Sequence, residues 1–233
     1  MNILNEEGGV FLLNKPYGWT SFDLVAKIRN LVKKYTQKKF KVGHAGTLDP
    51  LATGLMIVCI GKETKNISLY TSYDKEYIAT VNFSGRTISH DLEQPIVETF
   101  DYSHVTHDLL LNTINTFIGE ISQIPPVFSA KKTNGKRAYL LARQGKEPIL
   151  KPVNVYIHFI KLIHFNPPEF TIHIKCSKGT YIRSLVRDIG QKLTGGAYLT
   201  SLERIAIGNF KIENSLSIEN FEKMLKNGKI FAT

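Results

Sequence analysis

The sequence is poor in cysteine and has no long apolar run, and these two absences exclude several classes of protein. Its two cysteines, Cys59 and Cys176, lie far apart, so we expect neither a disulfide framework nor a cysteine-based metal site. No stretch approaches the roughly 20 apolar residues that cross a bilayer. Residues 1–9 lack the basic and then apolar pattern of a signal peptide. The sequence therefore predicts a cytoplasmic protein without a membrane span and without a bound metal.

Acidic residues are also scarce: 20 aspartates and glutamates stand against 30 lysines and arginines, a formal net charge of +10. Much of the excess lies in two clusters that few acids interrupt. The clusters are Lys27, Arg29, Lys33, Lys34, Lys38, Lys39 and Lys41, and then Lys131, Lys132, Lys136, Arg137, Arg143 and Lys146. One such cluster is typical of a solvated helix face, whereas two favour a polyanionic partner. An anionic membrane surface is the weaker alternative, because neither cluster has a broad apolar face.

Strands and helices are mixed along the chain without regular alternation. Apolar runs and period-two patterns predict strands over residues 10–14, 55–60, 75–84 and 170–176. Helical spacing predicts a helix over residues 107–118 and further helices after three capping residues, Thr20, Thr180 and Ser217. Two turn signals and much positive charge indicate that residues 124–148 protrude and carry a short helix over 138–144. The pattern as a whole predicts an α+β fold.

The most informative segment is the loop GHAGTLDPLATG, residues 43–54. Its three glycines permit backbone angles closed to other residues and a close approach of a bulky partner. Pro50 excludes Asp49 from the helical region, so this aspartate is expected in an extended conformation. One interpretation is a carboxylate presented for chemistry, and the other is a turn that Asp49 and Pro50 simply initiate. The pattern alone favours neither.

Three other sites are excluded by what surrounds this loop. The later Gly54 and Gly61-Lys62 pair is spaced too widely for a phosphate-binding loop, and Glu63 replaces the required hydroxyl residue. A zinc deaminase needs paired cysteines, which are absent. A glycosidase needs two carboxylates beside one bond, and the loop supplies one.

Five segments in order resemble the motifs of the TruB family of pseudouridine synthases. GHAGTLDPLATG resembles its catalytic motif, LNKPYGWTS its first motif, and KEYIA the motif with an active-site tyrosine. CSKGTYIRSLVRDIG resembles the motif with an active-site arginine, and YLTSLERIAIG the segment with a conserved leucine. The resemblance runs from about residue 9 to residue 208. It implies the pseudouridine synthase fold, a mixed and mostly antiparallel sheet flanked by helices, with a basic insertion that grips RNA.

The resemblance also assigns roles to single residues. It implies that Asp49 is the nucleophile, that Tyr77 lies against the target base, and that Arg183 pairs with Asp49. It further implies RNA or pocket contacts by His44, Gly43, Thr47 and Leu202, and support of the loop by Lys15 and Pro16. From the residues alone, other interpretations stay open: Tyr77 as plain core, Arg183 as a phosphate ligand, and His44 as a hydrogen-bonded loop histidine.

The activity that the resemblance implies is isomerisation of uridine to pseudouridine at position 55, in the T loop of tRNA. The reaction needs no redox change and no outside group, so no cofactor is expected. The target base is stacked in the tRNA elbow and must be flipped out first. The insertion, at about residues 124–152, is expected to contact the T arm through phosphates. The residues implied are Lys131, Lys132, Lys136, Arg137 and Arg143.

The resemblance has two departures. The chain ends at residue 233, which predicts one catalytic domain over residues 1–233 without the C-terminal RNA-binding PUA domain of many family members. Residues 85–91, GRTISHD, replace a Thr-Asp-Thr type of pattern and retain Asp91. No long apolar seam demands a second copy, so a monomer is expected. Two other functions stay open: an RNA-binding or tRNA-folding protein with an idle motif, and a synthase for other stem-loop RNAs.

Overall fold

The structure is a computed structural model that describes residues 7–129, 131–133, 135–142, 144–145 and 148–227. Its strands are β1 (Gly8–Lys15), β2 (Val42–His44), β3 (Thr53–Gly61), β4 (Lys75–Asn82), β5 (Gly85–Thr87), β6 (Ile96–Thr99), β7 (Gly119–Gln123), β8 (Lys132–Thr133), β9 (Lys136–Arg137), β10 (Val153–Asn166), β11 (Glu169–Cys176), β12 (Tyr198–Ile207) and β13 (Phe210–Lys211). Its α-helices are α1 (Ser21–Thr36), α2 (Ile67–Ser72), α3 (His107–Asn115), α4 (Ala138–Ala142), α5 (Ile182–Leu193) and α6 (Ile218–Lys226).

Nine of the described strands form one sheet with the hydrogen-bonded order β1-β3-β12-β4-β11-β10-β7, where β2 also pairs with β3 and β13 with β12. The pairs β1–β3, β2–β3, β10–β11, β10–β7 and β12–β13 are antiparallel, and β12–β3 is parallel. Two short antiparallel ribbons, β5–β6 and β8–β9, lie outside this sheet. The mixed, mostly antiparallel sheet with interspersed helices confirms the predicted α+β class.

The first of two compact units comprises residues 1–77 and 203–233. Here β3 is buried at seven successive positions between its two ends, which explains its unbroken apolar run. A strand covered on both faces has no polar side to alternate with. On α1, the apolar positions at helical spacing are the buried ones, and its basic residues face outward. The core of this unit lies around Leu12, Leu55, Ile57 and Ile207.

The second unit comprises residues 78–202. Strand β11 alternates strictly, so that Phe170, Ile172 and Ile174 are fully buried while their neighbours are partly exposed. The ring of Phe83 packs 5.8 Å from that of Phe170. The amphipathic helix α5 buries one face, which includes Leu185 and seven other residues of the helix. The period-two and helical patterns of the sequence thus mark the buried faces of this unit.

Two of the three predicted helix caps are confirmed and one is wrong. Thr20 forms a capping box with Asp23 at the start of α1, and the hydroxyl of Ser217 accepts from the backbone at the start of α6. Helix α5 is instead preceded by Tyr181, which provides no side-chain cap. The hydroxyl of Thr180 donates to the Ser177 carbonyl, 2.9 Å away. The turn before the helix therefore uses the hydroxyl that the prediction gave to the helix.

Both cysteines are buried thiols, as predicted. Cys59 is fully buried on β3, and Cys176 is buried at the end of β11. Burial raises the pKa of the Cys59 thiol to about 12, and the charge of Glu63 adds to the effect. A thiol with such a pKa carries almost no thiolate at neutral pH, so it behaves as a small apolar side chain.

Candidate active site

The glycine-rich loop connects two antiparallel strands, β2 and β3, and presents Asp49 at its far end. The strands pair through Gly43 and Cys59, and the loop returns through a hydrogen bond from the Ala52 amide to the Asp49 carbonyl, 3.1 Å long. Gly54 has a φ of +106°, and a β-carbon there would lie 2.4 Å from the Arg204 carbonyl oxygen. The glycine is therefore required by the close approach of β12 to the end of the loop.

Lys15 lies beneath this loop and is fully buried. Its ammonium donates to the carbonyl oxygens of Trp19 at 2.6 Å, Pro16 at 3.0 Å and Pro50 at 3.2 Å. Burial lowers the pKa of Lys15 to about 8, while the charge of Asp49 acts in the opposite direction. The electrostatic effect of Asp49 means that this carboxylate lies near the ammonium. Lys15 thus contacts the loop directly at Pro50, and support of the loop by Lys15 and Pro16 stays a prediction.

Ser21, the first residue of α1, ties this helix to the loop. Its hydroxyl donates to the Leu48 carbonyl at 3.0 Å and accepts from the Leu48 amide at 2.8 Å. Both groups are buried, so this pair of bonds fixes the backbone directly before Asp49. No sequence motif marks Ser21, because its partner Leu48 lies 27 residues away in the chain.

Arg204 is a second residue that the sequence analysis missed. It is 1% exposed, and its guanidinium donates to three carbonyl oxygens: Leu55 at 2.7 Å, Gly46 at 3.1 Å and Thr47 at 3.5 Å. These carbonyls lie on both sides of Asp49 in the chain. The signal was available, because Arg204 shares the alternation of Leu202 and Ala206, which are buried positions on β12.

The remaining loop residues differ in their surroundings. His44 is partly buried at the end of β2, and burial together with the nearby Arg204 charge lowers its pKa. Gly43 is closed in, since a β-carbon there would lie 2.6 Å from the Ile67 side chain. Thr47 is exposed. Asp49 itself is partly exposed, while the backbone around it is fixed by the bonds of Lys15, Ser21 and Arg204.

Tyr77 and Leu202 are both on strands of the sheet and both buried. Tyr77 is 8% exposed on β4, in a strict alternation of buried and partly exposed residues. Leu202 is 9% exposed on β12. Their burial is the arrangement expected both of core residues and of residues that form the floor of a pocket. Their roles toward the base therefore stay predictions.

Arg183 lies in the first turn of α5 and is 4% exposed. It forms an ion pair with Asp91, 3.7 Å between Nε and Oδ2. It also donates to the carbonyl oxygens of Ser89 at 3.2 Å and Phe128 at 2.9 Å. The divergent loop at residues 85–91 thus supplies the retained acid as a partner of this arginine. The pairing of Arg183 with Asp49 stays a prediction.

Most residues of the two basic clusters lie in the described part of the chain. All seven cations of the first cluster are exposed, and Lys34 forms an ion pair with Glu222 at 3.2 Å. In the second cluster, Lys131 is exposed. Lys132, Lys136 and Arg137 contribute their backbones to the β8–β9 ribbon. Arg143 and Lys146 lie outside the described residues.

The described residues also bear on metal binding and on membrane insertion. Within that part of the chain, no group of three or more histidine, cysteine or acidic side chains is arranged to bind a metal ion. Among the helices that can be described, none combines the length and the apolar character needed to cross a membrane.

Sequence comparisons identify the relatives of this chain. The family model for TruB family pseudouridylate synthases, N-terminal domain, matches residues 33–182. The tRNA pseudouridine synthase B of Bacteroides fragilis is 50% identical over 221 residues, which are 94% of this chain and 95% of that protein. The protein of the same name from Flavobacterium johnsoniae is 44% identical over 222 residues, 94% of this chain and 97% of the relative.

The chain is also similar to a protein of solved structure. The chain matches a protein in the crystal structure of a Cbf5–Nop10–Gar1 complex with a TM-score of 0.70 and 27% identity. The match covers 96% of this chain and 57% of the other, so this chain spans little more than half of that protein. With the ordered motifs and the family model in agreement, the chain belongs to the TruB family of pseudouridylate synthases.

Proposed function

We propose that this protein converts the uridine at position 55 of tRNA, in the T loop, to pseudouridine. The observation that carries the proposal is the loop around Asp49. This partly exposed aspartate lies in a backbone that hydrogen bonds from Lys15 and Arg204 and to Ser21 hold in place. Tight positioning of a reactive group is worth several kcal/mol of an activation barrier. The family membership and the names of the relatives support this substrate.

The reaction conserves every atom of the uridine. The bond from C1′ of the ribose to N1 of uracil breaks, the base turns, and a bond from C1′ to C5 forms. The proton on C5 leaves, and N1 gains one. A carboxylate is itself a nucleophile, so Asp49 in this role needs no partner base to activate it. The same position suits attack on the sugar, attack on the uracil ring, and removal of a sugar proton.

Two other residues complete the proposed chemistry. The Tyr77 ring offers a stacking surface for uracil, and its hydroxyl is a proton donor or acceptor. Arg183 stays protonated, and its planar guanidinium suits a carboxylate in two-point contact. We propose that it pairs with Asp49 during the reaction, in addition to its contact with Asp91.

The RNA contacts follow from charge and from the need to flip the base. We propose that the basic segment at residues 124–152 contacts phosphates of the T arm, and that the exposed cations of the first cluster add to the attraction. His44, Gly43 and Thr47 lie on the loop beside Asp49, where they suit contact with the flipped nucleotide. Residues 1–233 are proposed to act as one catalytic domain, monomeric and cytoplasmic.

Reaction with an unmodified tRNA transcript tests this function. One pseudouridine is expected at position 55, without added cofactor, by mass-spectrometric mapping. Asp49→Asn keeps the size of the side chain but removes its charge, so turnover should fall on the order of 10⁴-fold or more while tRNA binding persists. Asp101→Asn, at an exposed turn, is the control with the wild-type rate.

The other outcomes of this assay each contradict the proposal in a different way. A product at another uridine, or equal rates on a T-arm hairpin and on unrelated hairpins, would indicate a synthase for other RNAs. Protection of the tRNA without product would indicate an RNA-binding protein. Full activity of Asp49→Asn would remove the carboxylate from its role.

A further inference from the structure

We propose that Arg204 is a positioning residue, which fixes the backbone on both sides of Asp49 and thereby sets where its carboxylate meets the flipped uridine. This inference rests on the proposed function. Among the described residues, Arg204 is the largest by volume of those whose side chains are fully buried. Its charge is directed at the loop through the carbonyl oxygens of Gly46, Thr47 and Leu55.

The carbonyl groups that accept from Arg204 lie on opposite sides of Asp49 in the sequence. Gly46 and Thr47 precede Asp49, and Leu55 follows it at the start of the buried part of β3. One planar guanidinium reaches both, because its Nε and its two terminal nitrogens donate in fixed and divergent directions. A lysine ammonium at the same site keeps the charge, but its single nitrogen does not reproduce this divergent geometry.

The strand geometry explains why the guanidinium lies here. Arg204 pairs with Gly54 in the parallel contact of β12 with β3. The missing side chain of Gly54 lets the two backbones approach so closely that a β-carbon there would lie 2.4 Å from the Arg204 carbonyl oxygen. A β-carbon on Gly46 would in turn lie 3.5 Å from the Arg204 Nη1 atom. The distance at Gly46 is an ordinary van der Waals contact, so Gly54 is the glycine of this pair that the close approach of Arg204 requires.

Stability alone does not explain why the charged side chain of Arg204 is buried. Removing a charge from water is costly, and apolar residues often replace buried ionic groups without loss of stability. The carbonyls that Arg204 contacts lie mainly in the loop with the nucleophile, where a small displacement of a reactive group costs far more rate than stability. The arrangement is thus directed at the loop rather than at the core.

The charge of Arg204 has a second consequence for the site. It acts with burial to lower the pKa of His44, and it also lowers the pKa of Lys15. His44 is therefore kept neutral beside the loop at physiological pH. A neutral imidazole offers one donor and one acceptor to a nucleotide, whereas a protonated one offers two donors.

Three variants separate positioning from folding. Arg204→Gln removes the charge and the two-ended contact, Arg204→Lys restores the charge alone, and Phe221→Leu creates a cavity at the Phe11–Phe221 contact between β1 and α6. In single-turnover assays well below the melting temperature, Arg204→Gln should lose about 100-fold in rate, with the Kd for tRNA changed less than about threefold. Arg204→Lys should recover about tenfold, and Phe221→Leu should match the wild type.

Two readouts are independent of turnover. By NMR, the pKa of His44 should rise in Arg204→Gln and stay lowered in Arg204→Lys, because only the first loses the charge. The amides of Leu48 and Ala52, bonded within and beside the loop, should exchange at least about tenfold faster in Arg204→Gln, while core β3 amides keep their rates.

The inference is overturned if Arg204→Gln loses no more rate than Phe221→Leu, or if its rate and its tRNA affinity fall together. Unchanged exchange of the Leu48 and Ala52 amides would also overturn it. A wild-type protein that forms no pseudouridine contradicts the proposed function instead. In that case, the two readouts without turnover still decide whether Arg204 fixes the loop.

Discussion

Buried cations and backbone carbonyl oxygens recur together among the residues of this protein. Lys15 and Arg204 direct their donors to carbonyls at the Asp49 loop, and Arg183 directs its own to Ser89 and Phe128. A charged group removed from water needs several hydrogen-bond acceptors, because a buried charge without them is costly. In return, each cation fixes a stretch of irregular backbone that no ladder of sheet bonds could fix.

The Arg183–Asp91 pair gives a prediction at this scale. Both side chains are buried, 4% and 7% exposed, so Asp91→Asn leaves a buried guanidinium without its described carboxylate. We expect the free energy of unfolding to fall by about 3 kcal/mol. The control is Asp188→Asn, which breaks the more exposed Arg187–Asp188 pair and should cost less than about 1 kcal/mol. Urea denaturation compares the two, and equal losses would contradict the prediction.

The residues that sequence could and could not identify differ in kind. Asp49 and Lys15 are identified by motifs, because the residue type and its neighbours are local in the chain. Ser21 and Arg204 act on a loop 27 and 158 residues away, which no local pattern reveals. A charged residue at an apolar alternation position on β12 was the one indication of Arg204.

At the scale of elements, the periodic patterns predicted the buried faces of strands and helices but not where an element ends. The alternation of β11 and the helical spacing of α1 were predicted and are present, because each element has one buried face. The predicted helix after residue 107 ends early, at Asn115, where the chain turns toward Gly119 with a φ of +102°. Periodicity does not report where such a turn begins.

Gly54 gives the prediction at the scale of elements. Gly54→Ala places a β-carbon in the backbone of β12 and should lower the free energy of unfolding by about 3 kcal/mol or more. Gly119→Ala is a matched control, since its φ of +102° is similar to +106° but open space surrounds it. It should cost about 1 kcal/mol, for backbone strain alone. Similar losses in thermal or chemical denaturation would show that the β3–β12 contact is not the cause.

At the scale of the whole molecule, composition predicted the sign of the partner's charge but not the surface that meets it. The seven cations before the loop are all exposed around α1, which fits both a solvated face and an RNA-binding one. The basic insertion at about residues 124–152 stays a prediction. Strand pairings between distant residues, such as β1 with β3 in the first unit and β7 with β10 in the second, organise each unit. Such pairings cannot be obtained from composition or periodicity.

The free energy of unfolding at acidic pH is a property of the whole molecule, and His90 and His44 should contribute to its dependence on pH. Burial, with the charges of Arg187 and Arg183, lowers the pKa of His90 to about 4, and the pKa of His44 is also lowered. The unfolded chain titrates near pH 6.5, so below that pH it binds more protons than the native state. Stability is therefore full above about pH 6.5 and falls as the pH drops toward 4.

His90→Asn tests this dependence, because asparagine tolerates the positive φ of 60° at this position. The loss of unfolding free energy between pH 6.5 and 4 should shrink by about 3 kcal/mol relative to the wild type. His164→Asn, at an exposed position on β10, should leave the profile unchanged. A profile of His90→Asn parallel to that of the wild type would contradict the assignment.

The two enclosed cysteines make the protein convenient for spectroscopy. Neither thiol is accessible to an alkylating reagent in the native state, and that of Cys59 has almost no reactive anion at neutral pH. A cysteine introduced at an exposed site, such as Lys131, would be the single fast-reacting thiol of the folded chain. A fluorophore or spin label attached there would report on docking of RNA, and neither native cysteine would have to be replaced first.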